Sequence, residues 1–206
     1  MKIKRWIALV LTAVMAVSVL TACGGSGSNV SGYLSNNEVN SLLETAGSEI
    51  AVVNDPSLNN AVRNAAGEVA STGSTSSVDK SVRNAMSWKA SDIFGNLWNQ
   101  ILGSLGIIGP NIKVGVTAVV TEENLKSNTG AGGIANVGGN TTAIAPINTP
   151  EKFAAAMVLG ADNSLGWLSD VSENRVRTTY SVAGSKAKTA DGTVYWVFAM
   201  QVQIAS

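Results

Sequence analysis

The chain contains no histidine and a single cysteine among its 206 residues. Without imidazole there is no Ser-His-Asp or Cys-His nucleophile, and no zinc or other metal site built on histidine nitrogen. With one cysteine there is no internal disulfide. Charged side chains are scarce, 14% of the total, and no basic patch stands out, which argues against nucleic acid as a partner. What remains for chemistry is carboxylates, lysines and hydroxyls.

The solitary thiol stands in "LTACGGSGS". Ahead of it lie Lys2, Lys4 and Arg5, then the uncharged run "WIALVLTAVMAVSVL". A basic start, an apolar stretch and small residues before a cleavage point describe a secretory signal peptide. The run is shorter than the roughly 20 residues of a membrane-spanning helix. Leu20-Thr21-Ala22-Cys23 resembles a bacterial lipobox. That resemblance implies a signal peptide over 1–22, cleavage before Cys23 and a diacylglycerol on its thiol. Two or more acyl chains anchor a protein stably, at about 0.8 kcal/mol per buried methylene. The competing reading of Cys23 is a buried thiol in an uncleaved core helix. Glycine and serine follow, so residues 23–35 read as a flexible tether. Residues 36–206 then form one domain, large enough to bury a core without disulfides. The full chain carries 14 basic and 14 acidic residues; loss of the leader leaves 11 against 14, a net charge of −3.

Within the domain, "SNNE" from Ser35 is a capping-box pattern. Val39, Leu42, Leu43, Ala46 and Ile50 follow at helical spacing. Asp55-Pro56 opens a second helix, with Leu58, Ala61, Val62, Ala65, Ala66 and Val69 as its buried stripe and Gly73 at its end. A third starts at Ser76 or Ser77, with Val78, Val82, Ala85 and Met86 inward. Residues 91–105 form the most amphipathic stretch, with Ile93, Phe94, Leu97, Trp98, Ile101, Leu102 and Leu105 on one face. It lacks the Lys and Arg of a membrane-surface helix, so core packing is the preferred reading and a docking face for a partner the other. "NIKVGVTAVVT" alternates as a strand. Residues 122–148 read as a long loop of the kind that is functional or mobile. "NTPEKFAAAMVLG" is a short helix with Phe153, Ala156 and Met157 inward. Two strands close the chain. The first places Val176, Thr178, Tyr180 and Val182 on one face, and a turn at Asp191-Gly192 leads into the second. The last, "GTVYWVFAMQVQIA", is apolar on both faces, so it is covered on both.

Several motifs touch on catalysis. Ser77-Val-Asp-Lys80 matches the S-x-x-K of penicillin-recognising enzymes. Ser91-Asp92-Ile93 lacks the asparagine of the second box. Lys188-Thr189-Ala190 lacks the glycine of the third and falls in the expected hairpin loop. A helix cap followed by solvated charges explains Ser77 and Lys80 equally. Gly130 to Ala135 spells G-x-G-x-x-A, but in a loop rather than between a strand and a helix. Glu122-Glu123 could touch a hard cation, and such pairs are usually just solvated. Trp98 and Trp196 sit on apolar stripes, while Trp167 follows a turn-like stretch suited to line a groove.

The order of these elements resembles the CAP/SCP-like family of extracellular proteins. Asp55, Pro56, Leu58 and Ala65 match its early helix; Thr149, Pro150 and Glu151 match a later one; Gly192, Tyr195, Trp196 and Val197 match its last strand. Ile134 and Ala135 stand where the family has a Glu-Asn-Ile segment. The resemblance implies an α/β (α+β) fold, a three-layer α-β-α sandwich with a mainly antiparallel sheet. The family's cleft often uses two histidines and two acidic residues, sometimes with a metal. Here the histidines and the glutamate of the glycine-rich segment are missing. The implied protein is a degenerate member with no metal and no cofactor.

Together these observations describe a lipid-anchored, extracytoplasmic protein that binds a peptide, glycan or lipid without transforming it. Asn163, Ser164 and Trp167 are the candidate contacts, in a groove bordered by residues 122–148. A structural envelope protein docking through residues 91–105 is a second reading, and a hydrolase using Ser77 and Lys80 a third. Mass spectrometry of the mature amino-terminal peptide is expected to show a chain starting at acylated Cys23. A free thiol there, or a different first residue, would remove the anchor.

Overall fold

The computed structural model describes residues 30–88, 112–128, 141–165 and 177–205. It shows an α+β fold around one four-stranded sheet. The strands are β1 (Val30–Tyr33), β2 (Ile112–Thr121), β3 (Arg177–Lys188) and β4 (Val194–Ala205), in the order β1-β3-β4-β2. Every neighbouring pair is antiparallel. The helices are α1 (Asn36–Thr45), α2 (Pro56–Thr72), α3 (Val78–Met86), α4 (Glu122–Lys126) and α5 (Pro150–Leu165), with a 3-10 turn at Thr141–Ile144. No described helix is long and apolar enough to cross a membrane.

Alternation along β4 divides its side chains between two cores. Trp196, Phe198, Met200, Val202 and Ile204 join one, with Val39 and Leu43 of α1 and the apolar residues of α5. Phe153 of α5 stacks on Phe198 with ring centroids 4.6 Å apart, and Trp196 stacks on the same ring at 5.8 Å. Val197 and Ala199 join the other core, with the stripes of α2 and α3. Small residues of β3 on that face, Ser181, Ala183, Ser185 and Ala187, are all buried. They let α2 lie close to the sheet.

The α2 helix forms as its sequence dictates. The Asp55 carboxylate accepts from the Ser57 and Leu58 amides, and Pro56 occupies the first turn. Such a cap is worth about 1 kcal/mol. All six stripe residues are buried, and Gly73 closes the helix with φ 71. Ser35 caps α1 by accepting from the Glu38 amide. In α3, Val78, Val82 and Met86 are buried but Ala85 is exposed, since the short helix turns a narrower stripe inward than expected.

Other elements differ from the sequence reading. Val30–Tyr33, assigned by composition to the tether, pair with β3, Val30 opposite Ala187 and Tyr33 opposite Ser185. Within the expected loop, the Thr121 hydroxyl accepts from the Asn124 amide and starts α4. The α5 helix continues through Gly160 to Leu165. Phe153 to Leu159 are buried without a break, so no polar face marks its periodicity. Strand β3 runs on past Gly184 to Lys188, which therefore ends a strand rather than sitting in the hairpin loop.

The sheet has two distinct ends. The hairpin end carries the 189–193 turn, the start of β1 and the passage from β2 into α4. The opposite end carries the starts of β2 and β3 and the close of β4, where Arg177 pairs with Ala205 and Ile112 with Ile204.

Trp88 ties distant segments together. Its ring lies against the backbone of Gly115, where an added Cβ would come closer than 3.0 Å to it. Its indole N–H donates to Gln201 Oε1 at 2.9 Å, and Gln201 Nε2 donates to Asp55 Oδ2 at 3.2 Å. Gly115→Ala is expected to cost about 1–3 kcal/mol through overpacking, read from the urea midpoint. In a Trp88→Leu background most of that cost should vanish. An unchanged cost there would place the strain elsewhere.

Candidate functional site

The described structure gathers polar groups around Tyr180, near the end of the sheet opposite the hairpin. Tyr180 is buried in the α5-side core, and its hydroxyl donates to Asp162 Oδ1 at 3.1 Å. A buried tyrosine hydroxyl needs a partner, and the last turn of α5 supplies one. Burial, then the Asp162 charge, raises its pKa well above the ordinary tyrosine value. The hydroxyl therefore stays protonated at physiological pH and serves as a donor, not a nucleophile. Beside it, the Val53 N–H donates to the Tyr180 carbonyl at 2.8 Å, and Val52 forms a parallel bridge with Tyr180. Asn40 fixes that segment: its Oδ1 accepts from the Val52 N–H at 2.7 Å and its Nδ2 donates to the Val52 carbonyl at 3.2 Å. Val53 itself points outward, 46% exposed.

Asn163 follows Asp162 and is exposed in this last turn of α5. Ser164 belongs to the same turn, and Trp167 lies outside the described residues. The sequence reading named Asn163 as a contact, which is next in sequence to Asp162, and named neither Asp162 nor Tyr180 as one. The available signal was a tyrosine on the inward face of a strand, whose hydroxyl required a polar neighbour.

The remaining motifs fall elsewhere. Ser77 precedes α3, and its hydroxyl donates to Glu68 Oε2 at 3.2 Å, which also receives the Ser81 hydroxyl at 2.8 Å. Ser77 and Lys80 both belong to this solvent-facing rim: Ser77 and Lys80 are exposed. Cys23, residues 91–105 with Ser91 and Trp98, and Gly130 to Ala135 lie outside the described residues. Trp196 is buried in the core. Among the described residues, no group of three His, Cys, Asp or Glu side chains is placed to hold a metal.

Glu122, at the hairpin end, is drawn into an ion-pair cluster. Lys186 Nζ donates to its Oε1 at 2.8 Å, and Lys126 Nζ stands 3.6 Å from its Oε2. The Lys186 hydrogen bond is the main cause that holds this carboxyl below the usual glutamate range, with both lysine charges adding to it against burial. On the adjoining turn, the Thr189 hydroxyl lowers Asp191, with the Thr193 N–H and hydroxyl adding to it. These groups stabilise turns and strand ends.

The chain matches no family model, no curated protein and no solved structure.

A lowered carboxyl favours folding above its unfolded value and loses that contribution as pH falls through the folded one. Glu122 therefore supports stability above the ordinary value of 4.5 and withdraws that support below it. Lys186→Met is expected to lower urea stability at neutral pH and to flatten its decline below pH 4.5. A decline as steep as in the parent would assign acid sensitivity to other groups.

Proposed function

We propose that this chain is a lipid-anchored protein of the bacterial cell envelope, with a CAP-like α-β-α domain that binds a peptide, glycan or lipid without catalysis. The contact surface is the one beside Tyr180 and exposed Asn163, and Ser164 and Trp167, named from the sequence, are its further candidate contacts. The anchor is Cys23, supported by the lipobox-like Leu20-Thr21-Ala22-Cys23.

The observation that carries the binding site is the buried Tyr180 hydroxyl held by Asp162, with exposed Asn163 next to Asp162 in sequence and exposed Val53 bonded to the Tyr180 backbone. Hydrogen-bonding groups beside apolar surface suit a ligand that is part polar and part apolar. A non-catalytic role is supported by the chemistry available. The chain has no imidazole, the Tyr180 hydroxyl is held protonated, and the Ser77 hydroxyl is bonded to a carboxylate on an exposed surface.

The test uses the full acylated chain in detergent micelles against panels of oligosaccharides, short peptides and phospholipids. One class is expected to bind, and Asn163→Ala and Trp167→Ala each to weaken that binding tenfold or more. Unchanged affinity in both variants would dismiss this surface. Turnover of a bound compound would dismiss the non-catalytic reading.

A further inference from the structure

The short tether and the register of β1 together orient the domain. Between Cys23 and the first residue of β1 lie only Gly24 to Asn29. Seven residue steps from Cys23 to Val30 reach at most about 25 Å when fully extended. Val30 is the first residue of β1 and pairs with Ala187, beside the 189–193 turn. The chain therefore enters the sheet at its hairpin end. From Ala187 back to Arg177, β3 extends about 33 Å at the usual rise per residue. That distance exceeds the reach of the tether.

We propose that the hairpin end of the sheet faces the lipid bilayer, and that the opposite end, with Tyr180 and Asn163, is presented away from it. This rests on the lipid-anchor reading and adds a partner surface to it. The membrane-facing residues are those of the 189–193 turn, with Lys188 and the start of α4 beside them. Ala190, Asp191 and Gly192 are exposed, as is Lys188. Charge at this end is mixed. Lys126 and Lys186 flank Glu122, and Lys188 and Asp191 stand close by in sequence across Thr189-Ala190. Opposite signs so interspersed give little net pull toward anionic headgroups. Tether length, not headgroup charge, sets the orientation. Along β3, Tyr180 then stands roughly 23 Å and Arg177 roughly 33 Å farther from the bilayer than Ala187 does, open to partners approaching from the envelope space.

The acylated full chain provides its own test, because its native thiol is taken up by lipid. Ala190→Cys and Arg177→Cys each introduce one free thiol, at opposite ends and both at exposed positions. Each is labelled with a donor dye and placed in phosphatidylcholine vesicles carrying an acceptor on the headgroups. Energy transfer from position 190 should exceed that from position 177 several-fold, and should be unchanged when phosphatidylglycerol is added. Twenty glycine and serine residues inserted after Ser28 should bring the two signals together. Equal transfer without the insertion, or stronger transfer from position 177, would overturn the orientation while leaving the anchor intact. Dye uptake by the parent protein at Cys23 would instead overturn the anchor, and the orientation with it.

Discussion

The structure depends on β4 being an inner strand in every direction. It pairs along its length with β3 on one edge and β2 on the other. Its side chains alternate between two cores, so each peptide group is satisfied laterally and each side chain is packed above or below. Water reaches neither the edge nor the faces of its middle section, where Val197 to Val202 are all buried. Apolar burial of this kind supplies the main drive for folding. The cost is that any polar group on the strand must find a partner inside the protein.

Gln201 is that polar group, and it becomes a fastener. It receives the Trp88 indole N–H and donates to Asp55, residues 113 and 146 positions away along the chain. The same Asp55 carboxylate caps α2 through its other oxygen. One side chain thus joins the end of α3, the start of α2 and the central strand. Gly115 lies directly opposite Gln201 in the β2–β4 register, and its missing side chain makes room for the indole ring. A buried network that is fully paired fixes one arrangement; deleting a member leaves a stranded group at about 1–3 kcal/mol.

Elements whose signals are all local were legible in the sequence. In α2 the cap, the proline, the apolar stripe and the terminal glycine agree with one another, and the helix has the expected bounds and buried face. The two apolar faces of β4 likewise announced helices on both sides. What depends on distant partners was not legible. "VSGY" resembles tether by composition and becomes a strand only because β3 offers it an edge. Trp88 carries no local sign of its role, since Gly115 and Gln201 come from other strands. The α5 helix outran its expected end because a helix buried on most sides has no polar face to show its period. Asn163 was named as a groove contact beyond the expected helix end, and the structure places it within the last turn of α5. The Asp162–Tyr180 bond was missed because it joins a helix to a strand that follows it in sequence.

The same sheet separates two surfaces of different character. Ion pairs and hydroxyl-bonded carboxylates stiffen the hairpin end, while the opposite end combines a protonated tyrosine donor with exposed polar and apolar side chains. Both surfaces hold their geometry only if the central strand does. Residue-resolved amide hydrogen exchange tests that dependence most directly. The amides of Phe198 to Val202 are expected to exchange only through global unfolding, with protection tracking stability as urea is added, while those of β1 open locally and much faster. Exchange of the β4 amides at the β1 rate, insensitive to urea, would contradict the central place given to this strand.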